Sequence, residues 1–301
     1  MSRIFDALRQ SELEQGRAFP LAPPAAPEEA KPALARALPL APHPAPPPPA
    51  AIAPSGLAPA RTVTAAPPQP ERLAPLADAN ALFGEKFRLL GMRIKHLRAQ
   101  KGIRTLVVTS AVTADGKSFV AANLAAALAR VTSQSVLLLD GDLRRPAQGR
   151  LLGLQELPGL VEAIHAHDVP AELSTYRIEN LGISVMPAGN LGPNAADALH
   201  DSRLGQVFAT LKDAFDWIVV DAPPAIPVAD TSLWARLADG VLLVVRSGHT
   251  PRKALRESVD ALQGTNLVGV VMNEAVDPAH HQYATYARQV VTMKRTAEAG
   301  A

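Results

Sequence analysis

The chain has 301 residues, 48% hydrophobic but only 4% aromatic, enough for a substantial core built from Ala, Val, Leu and Ile. It contains no cysteine, which excludes disulfides, thiolate metal sites and cysteine nucleophiles, and its +2 formal charge is too mild to argue for a nucleic-acid partner. The sequence offers no export signal and no apolar run near the roughly 18–20 residues of a membrane helix, so a cytoplasmic protein is expected, reaching a membrane only through a partner.

Residues 1–16 open with a helical candidate whose ragged apolar side carries Ile4, Phe5, Leu8 and Leu13. A helix this short is marginal alone, so a docking peptide and a frayed terminus both remain open. Residues 17–78 are dominated by Pro and Ala and hold most of the 28 prolines. Proline removes backbone donors and favours extended chain, so this stretch reads as a disordered linker. Residues 79–292 read as one globular domain, with 293–301 as a disordered tail.

Within the domain, Asn80 can cap a helix through Gln100 that carries Phe83, Phe87, Leu90, Ile94 and Leu97 near helical spacing. Apolar runs of buried-strand length follow at 105–109, 136–139, 183–186, 217–220, 241–245 and 267–272. Helical stretches lie between most of them, at 118–130, 203–215 and 251–262. Val/Ile/Leu-rich strands alternating with helices imply an α/β fold with a mostly parallel sheet covered on both faces. Ligands of such folds bind beyond the carboxyl ends of the strands, where the motifs fall.

The first motif is TLVVTSAVTADGKSF, residues 105–119. A strand enters a loop ending Gly116-Lys117-Ser118, and a helix begins at once. Inward backbone N–H groups and the helix N-terminus favour phosphates, Lys117 reaches the terminal ones, and the Ser118 hydroxyl can ligate Mg²⁺. The second motif, VLLLDGDLRRP at 136–146, delivers Asp140 and Asp142 to a strand end. Two carboxylates there repel unless a cation or a hydroxyl proton lies between them. The third, DWIVVDAPP at 216–224, ends a strand in Asp221, the shape of an acidic strand beside a P-loop magnesium.

Together these motifs resemble the bacterial tyrosine kinases that control capsule and exopolysaccharide synthesis. Residues 111–118 look like their Walker A loop, Asp140-Gly141-Asp142-Leu143-Arg144-Arg145-Pro146 like their second Walker motif, and Asp221 like the Walker B aspartate. GNLGPNAADAL at 189–199 and GVVMN at 269–273 add to the likeness. The resemblance implies a P-loop NTPase three-layer fold and a protein-tyrosine autokinase using ATP and Mg²⁺. Ala114, Asp115, Gly116, Lys117, Ser118, Phe119 and Asn273 would hold the nucleotide, and Ser118, Asp140 and Asp221 the metal. Lys117, Asp140 and Asp142 would be catalytic, with Tyr283 and Tyr286 as phosphoacceptors. It further implies a homo-oligomer activated by the cytoplasmic segment of a membrane polysaccharide co-polymerase.

The sequence departs from that family in three places. It has three tyrosines in all, of which Tyr283 and Tyr286 lie near the C-terminus. Gly91 stands where the family's oligomerisation helix has a second Arg after Glu85 and Arg88. The loop begins with Ala111 instead of Gly and reads TADGKS. Two other functions stay in view: a positioning ATPase like ParA and MinD, whose early loop lysine is replaced here by Val112, and a non-catalytic nucleotide-binding subunit of a polysaccharide export complex.

Overall fold

The computed structural model describes residues 61–73, 82–154, 157–166, 174–192, 195–226 and 230–275. The N-terminal helix expected within 1–16, most of the linker, Tyr283, Tyr286 and the 293–301 tail lie outside the described residues.

In chain order the elements are β1 (Arg61–Val63), α1 (Leu82–Lys101), β2 (Thr105–Ser110), α2 (Lys117–Thr132) and β3 (Val136–Asp140). There follow α3 (Gln148–Leu152), α4 (Leu160–His165), β4 (Tyr176–Ile178), β5 (Ile183–Met186), α5 (Arg203–Ala214) and β6 (Trp217–Asp221). The last are α6 (Asp230–Leu237), β7 (Gly240–Arg246), α7 (Arg252–Ala261) and β8 (Leu267–Asn273). Among the described residues, eight strands join one sheet in the order β1-β4-β5-β3-β6-β2-β7-β8. From β5 to β8 every pairing is parallel; β4 runs antiparallel to β5, and β1 parallel to β4.

The inner strands β2, β3 and β6 are buried along their whole length, as continuous Val/Leu runs require when helices cover both faces. Two apolar clusters result, one on each side of the sheet. In α2, every residue from Val120 to Ala129 is buried. Its many alanines allow that helix to lie between the sheet and α1 without overpacking. Among the described residues no helix is long and apolar enough to cross a membrane.

One expectation changes. The stretch read as linker through residue 78 contains an ordered strap. Strand β1 pairs with β4, Ala65 exchanges two hydrogen bonds with the Asn180 side chain, and a 3₁₀ turn at Pro70–Arg72 leads to a fully buried Leu73. Proline tolerates an edge strand and the first position of a helical turn, so Pro-rich composition does not prevent docking on a prebuilt sheet.

Gly91, where the family pattern has an Arg, is packed against α2. A Cβ there would lie 3.3 Å from the Ala127 Cβ of α2. The position faces the domain's own interior, so a long cation could not be presented from it. Glu85 and Arg88, half-exposed on another face of α1, pair with each other.

Candidate functional site

Strand β2 sits between β6 and β7, and its carboxyl end runs into the loop 111–116. Ala114 and Gly116 both take left-handed backbone, at φ 68° and 95°. Gly116 needs its missing Cβ for a second reason: a side chain there would meet the Asn273 amide at 2.1 Å. Such consecutive turns aim backbone N–H groups into the concavity of the loop.

Asp115, expected among the nucleotide-binding residues of the loop, turns its carboxylate away from the concavity. One oxygen accepts from the Val112 N–H at 3.0 Å and the other from the Thr250 hydroxyl at 2.7 Å. Asn273 donates its side-chain amide to the Asp115 carbonyl at 2.9 Å. Asp115 and Asn273 therefore staple the loop from below, and the backbone is what faces outward.

The structure brings the three acids together beside Lys117. The parallel register of β3 and β6 places Asp140 directly beside Asp221. Asp142 follows two residues later. Gly141 between them accommodates the Trp234 ring, which a Cβ would strike at 2.8 Å, while the Trp234 indole donates to the Gly141 carbonyl at 3.0 Å. Lys117, first residue of α2, places Nζ 2.8 Å from Asp142 Oδ2 and 3.2 Å from Asp221 Oδ1. The Ser118 hydroxyl lies 3.4 Å from the same ammonium and bonds Asp221. Burial pulls the Lys117 pKa down, but the Asp221 and Asp142 charges outweigh it and hold the ammonium above its ordinary value.

Asp140 is a different kind of acid. Burial first, then the neighbouring Asp221 charge, pushes its pKa up to about 8. One oxygen accepts from the N–H groups of Ala147 and Gln148, at 3.0 and 2.9 Å. The other, Oδ1, is buried without a hydrogen-bond partner among the described residues. Asp221 is also raised, by burial, although Lys117 and Ser118 oppose the shift.

Three carboxylates thus face one ammonium. A hard divalent cation with its waters suits this surplus of oxygen and gives the orphaned Asp140 oxygen a partner. No described group of three His, Asp or Glu residues forms a self-sufficient metal cage. Magnesium at a phosphate loop does not need one, because phosphates and water supply most of its ligands.

Beside the loop opens a cleft of about 420 Å³. Arg72, Phe83 and Phe119 line one side, and Arg246, Asn273 and Glu274 the other. The Arg72 guanidinium lies 5.5 Å from the Phe119 ring centre, and Phe83 stacks on Phe119 at 5.5 Å. Sequence reasoning singled out Phe119 and Asn273 here but missed Arg72, hidden among prolines, and the Arg246–Glu274 ion pair at 2.7 Å. It also missed Gln148. Arg144, within the second motif, turns away from the acids to pair with buried Asp230 at 2.6 Å.

A family model for ParA, described as NUBPL iron-transfer P-loop NTPase, matches residues 103–295. The iron-transfer chemistry in that description has no thiolates to work with here, since the chain lacks cysteine. Tyrosine-protein kinase YwqD of Bacillus subtilis is 28% identical over 213 residues, covering 70% of this chain and 89% of its own. The succinoglycan biosynthesis transport protein ExoP of Rhizobium meliloti is 31% identical over 64% of this chain, but the match spans only 25% of ExoP. Among solved structures, the kinase domain of the Escherichia coli tyrosine kinase ETK superposes with a TM-score of 0.58 at 29% identity, covering 64% of this chain and 77% of that one. The chain therefore belongs to the ParA-type P-loop NTPase family and shares its fold and phosphate loop with bacterial tyrosine kinases.

Proposed function

We propose that the protein is an ATP-dependent protein-tyrosine autokinase regulating exopolysaccharide synthesis and export, with Tyr283 and Tyr286 as acceptors. The observation that carries this reading is the Lys117 ammonium held between Asp142 and Asp221 beside Ser118, at the mouth of a phosphate loop. The names of YwqD, ETK and ExoP support the activity and the pathway.

In this reading the loop backbone from Ala114 to Phe119 cradles the phosphates and the base enters the cleft between Phe119 and Asn273. Lys117 leaves the acids for the β- and γ-phosphates. Ser118, Asp140 and Asp221 would hold Mg²⁺, which would neutralise charge developing on the phosphate oxygens. The departure of Lys117 frees Asp142 Oδ2 to accept the tyrosine hydroxyl proton. The phenolic oxygen bonds to the γ-phosphorus, the bond from that phosphorus to the bridging oxygen breaks, and ADP leaves.

In ExoP the matched region is part of a much longer chain. Here we assign the activating role to the cytoplasmic segment of a separate membrane co-polymerase, which recruits the kinase to the inner face of the membrane. Subunits associate so that one tail reaches a neighbour's Asp142.

Purified protein incubated with MgATP should carry phosphotyrosine at Tyr283 or Tyr286 by mass spectrometry, lost in Lys117→Met. No phosphotyrosine even with the activator's cytoplasmic segment present overturns the kinase reading. ATP-dependent dimerisation and hydrolysis without phosphotransfer would instead favour a ParA-like switch. The family model favours that second reading, and Val112 in place of the early loop lysine opposes it.

A further inference from the structure

Gln148 is fully buried in the first turn of α3, and no motif requires it. It nevertheless touches three separate parts of the site. Its backbone N–H donates to Asp140 Oδ2 at 2.9 Å. Its side-chain amide donates to Asp221 Oδ2 at 2.9 Å and to the Ser118 carbonyl at 3.0 Å. Its own Oε1 is buried without a hydrogen-bond partner among the described residues.

A buried amide with one unsatisfied acceptor carries a desolvation cost that an apolar side chain of similar volume does not bring with it. The donor end explains the residue. Asp221 is gripped at both oxygens, by Lys117 on Oδ1 and by Gln148 on Oδ2. When a nucleotide draws Lys117 away, one of these two grips is lost and the Gln148 amide remains. Being neutral, it orients the carboxylate without adding charge to a pocket already crowded with acids. Its second hydrogen bond ties that orientation to the α2 turn carrying the Ser118 hydroxyl.

We propose that Gln148 is a positioning residue that fixes Asp221 and the first turn of α2 relative to one another for magnesium. This rests on the nucleotide site proposed above. It acts on the metal-dependent part of nucleotide binding and leaves the metal-independent part alone.

The test titrates a fluorescent ADP analogue into the full chain, once in EDTA and once in saturating Mg²⁺. Gln148→Met is close in volume and lacks the donor. It should bind the analogue within twofold of wild type in EDTA and lose at least fivefold of the affinity that magnesium adds. Gln148→His, which offers a ring N–H, should keep that magnesium gain within twofold. A folded Met variant with the wild-type gain, or one weakened equally with and without metal, overturns the proposal. If the Met variant does not fold, the His variant decides: a folded His protein without the gain overturns it, and one with the gain supports it. Wild-type protein that binds no analogue, or gains nothing from magnesium, would defeat the nucleotide-site reading itself, independently of Gln148.

Discussion

The two ends of the candidate nucleotide site are built by opposite means. At the acidic end, Asp140 and Asp221 are fully buried, set side by side by sheet register, and Asp221 has a partner at each oxygen. At the other end, Arg72 lies exposed over Phe119, and Arg246 meets a Glu274 side chain that is 56% exposed. The first end is over-determined by packing, so changing it alters chemistry. The second is a set of solvent-facing contacts, each worth little, so changing it tunes affinity.

The largest effect should therefore come from the acidic end. Lys117→Met and Asp221→Asn should each lower the rate of phosphotransfer from radiolabelled ATP by about 10²–10³, the usual consequence of removing a charge aimed at the transition state. A loss below tenfold in either variant would break the contrast, since these acids would then be no more critical than the cleft wall.

Next comes pH. Asp140 is raised in the fold to about 8 from an ordinary carboxylate value. The folded state keeps a proton that the unfolded chain has already released, so this group's stabilisation is full below about pH 4 and is lost as pH rises toward 8. Nucleotide-free wild type should lose thermal stability across that window faster than Asp140→Asn, by at most about 1.4 kcal/mol per pH unit. MgADP binding at neutral pH should also release protons, visible as a buffer-dependent calorimetric heat. Identical pH slopes in the two proteins would mean that Asp140 is not the proton holder.

The same contrast separates what the sequence disclosed from what it hid. The inner strands were legible because continuous Val and Leu admit few alternatives, and the phosphate loop because strand, Gly-Lys-Ser and helix follow in unbroken order. The convergence of Asp140 with Asp221 was suggested by motif, but their exact pairing belongs to strand order, which no local pattern encodes. Gln148 was invisible because a single amide has no periodicity and its partners come from three elements. The bracing role of the Asp115 carboxylate was not legible, because its partner Thr250 comes from a distant part of the chain. The strap was missed for a compositional reason: prolines exclude a core of their own but not docking on another. Helices such as α3 and α4, at five and six residues, are too short to show an apolar stripe.

Smaller effects belong to the open end. Arg72→Ala removes a cation stacked on Phe119 at the cleft wall, a contact worth roughly 0.5–1 kcal/mol where solvent reaches it. The KM for ATP should rise about two- to fivefold with kcat within twofold, read from initial rates across ATP concentrations. Arg72 lies on the strap, so a truncated protein beginning at residue 79 should show at least the same rise. An unchanged KM in both would remove the strap from the nucleotide site.

The smallest effect should come from Glu274→Gln. Its carboxylate meets Arg246 from the end of β8, and both side chains remain partly in water, where such a pair is worth at most about 1 kcal/mol. Glu274 also sits at a left-handed φ of 53°, a conformation that Gln adopts no more easily, so the substitution removes charge without relieving the backbone. ATP affinity should move less than twofold, and whatever difference exists should vanish in high salt, because exposed charges are screened there. A salt-resistant loss of tenfold or more would mean that the ion pair closes over the bound base and becomes buried. The open end would then be open only while the nucleotide is away, and the asymmetry between the two ends would be a property of the empty cleft.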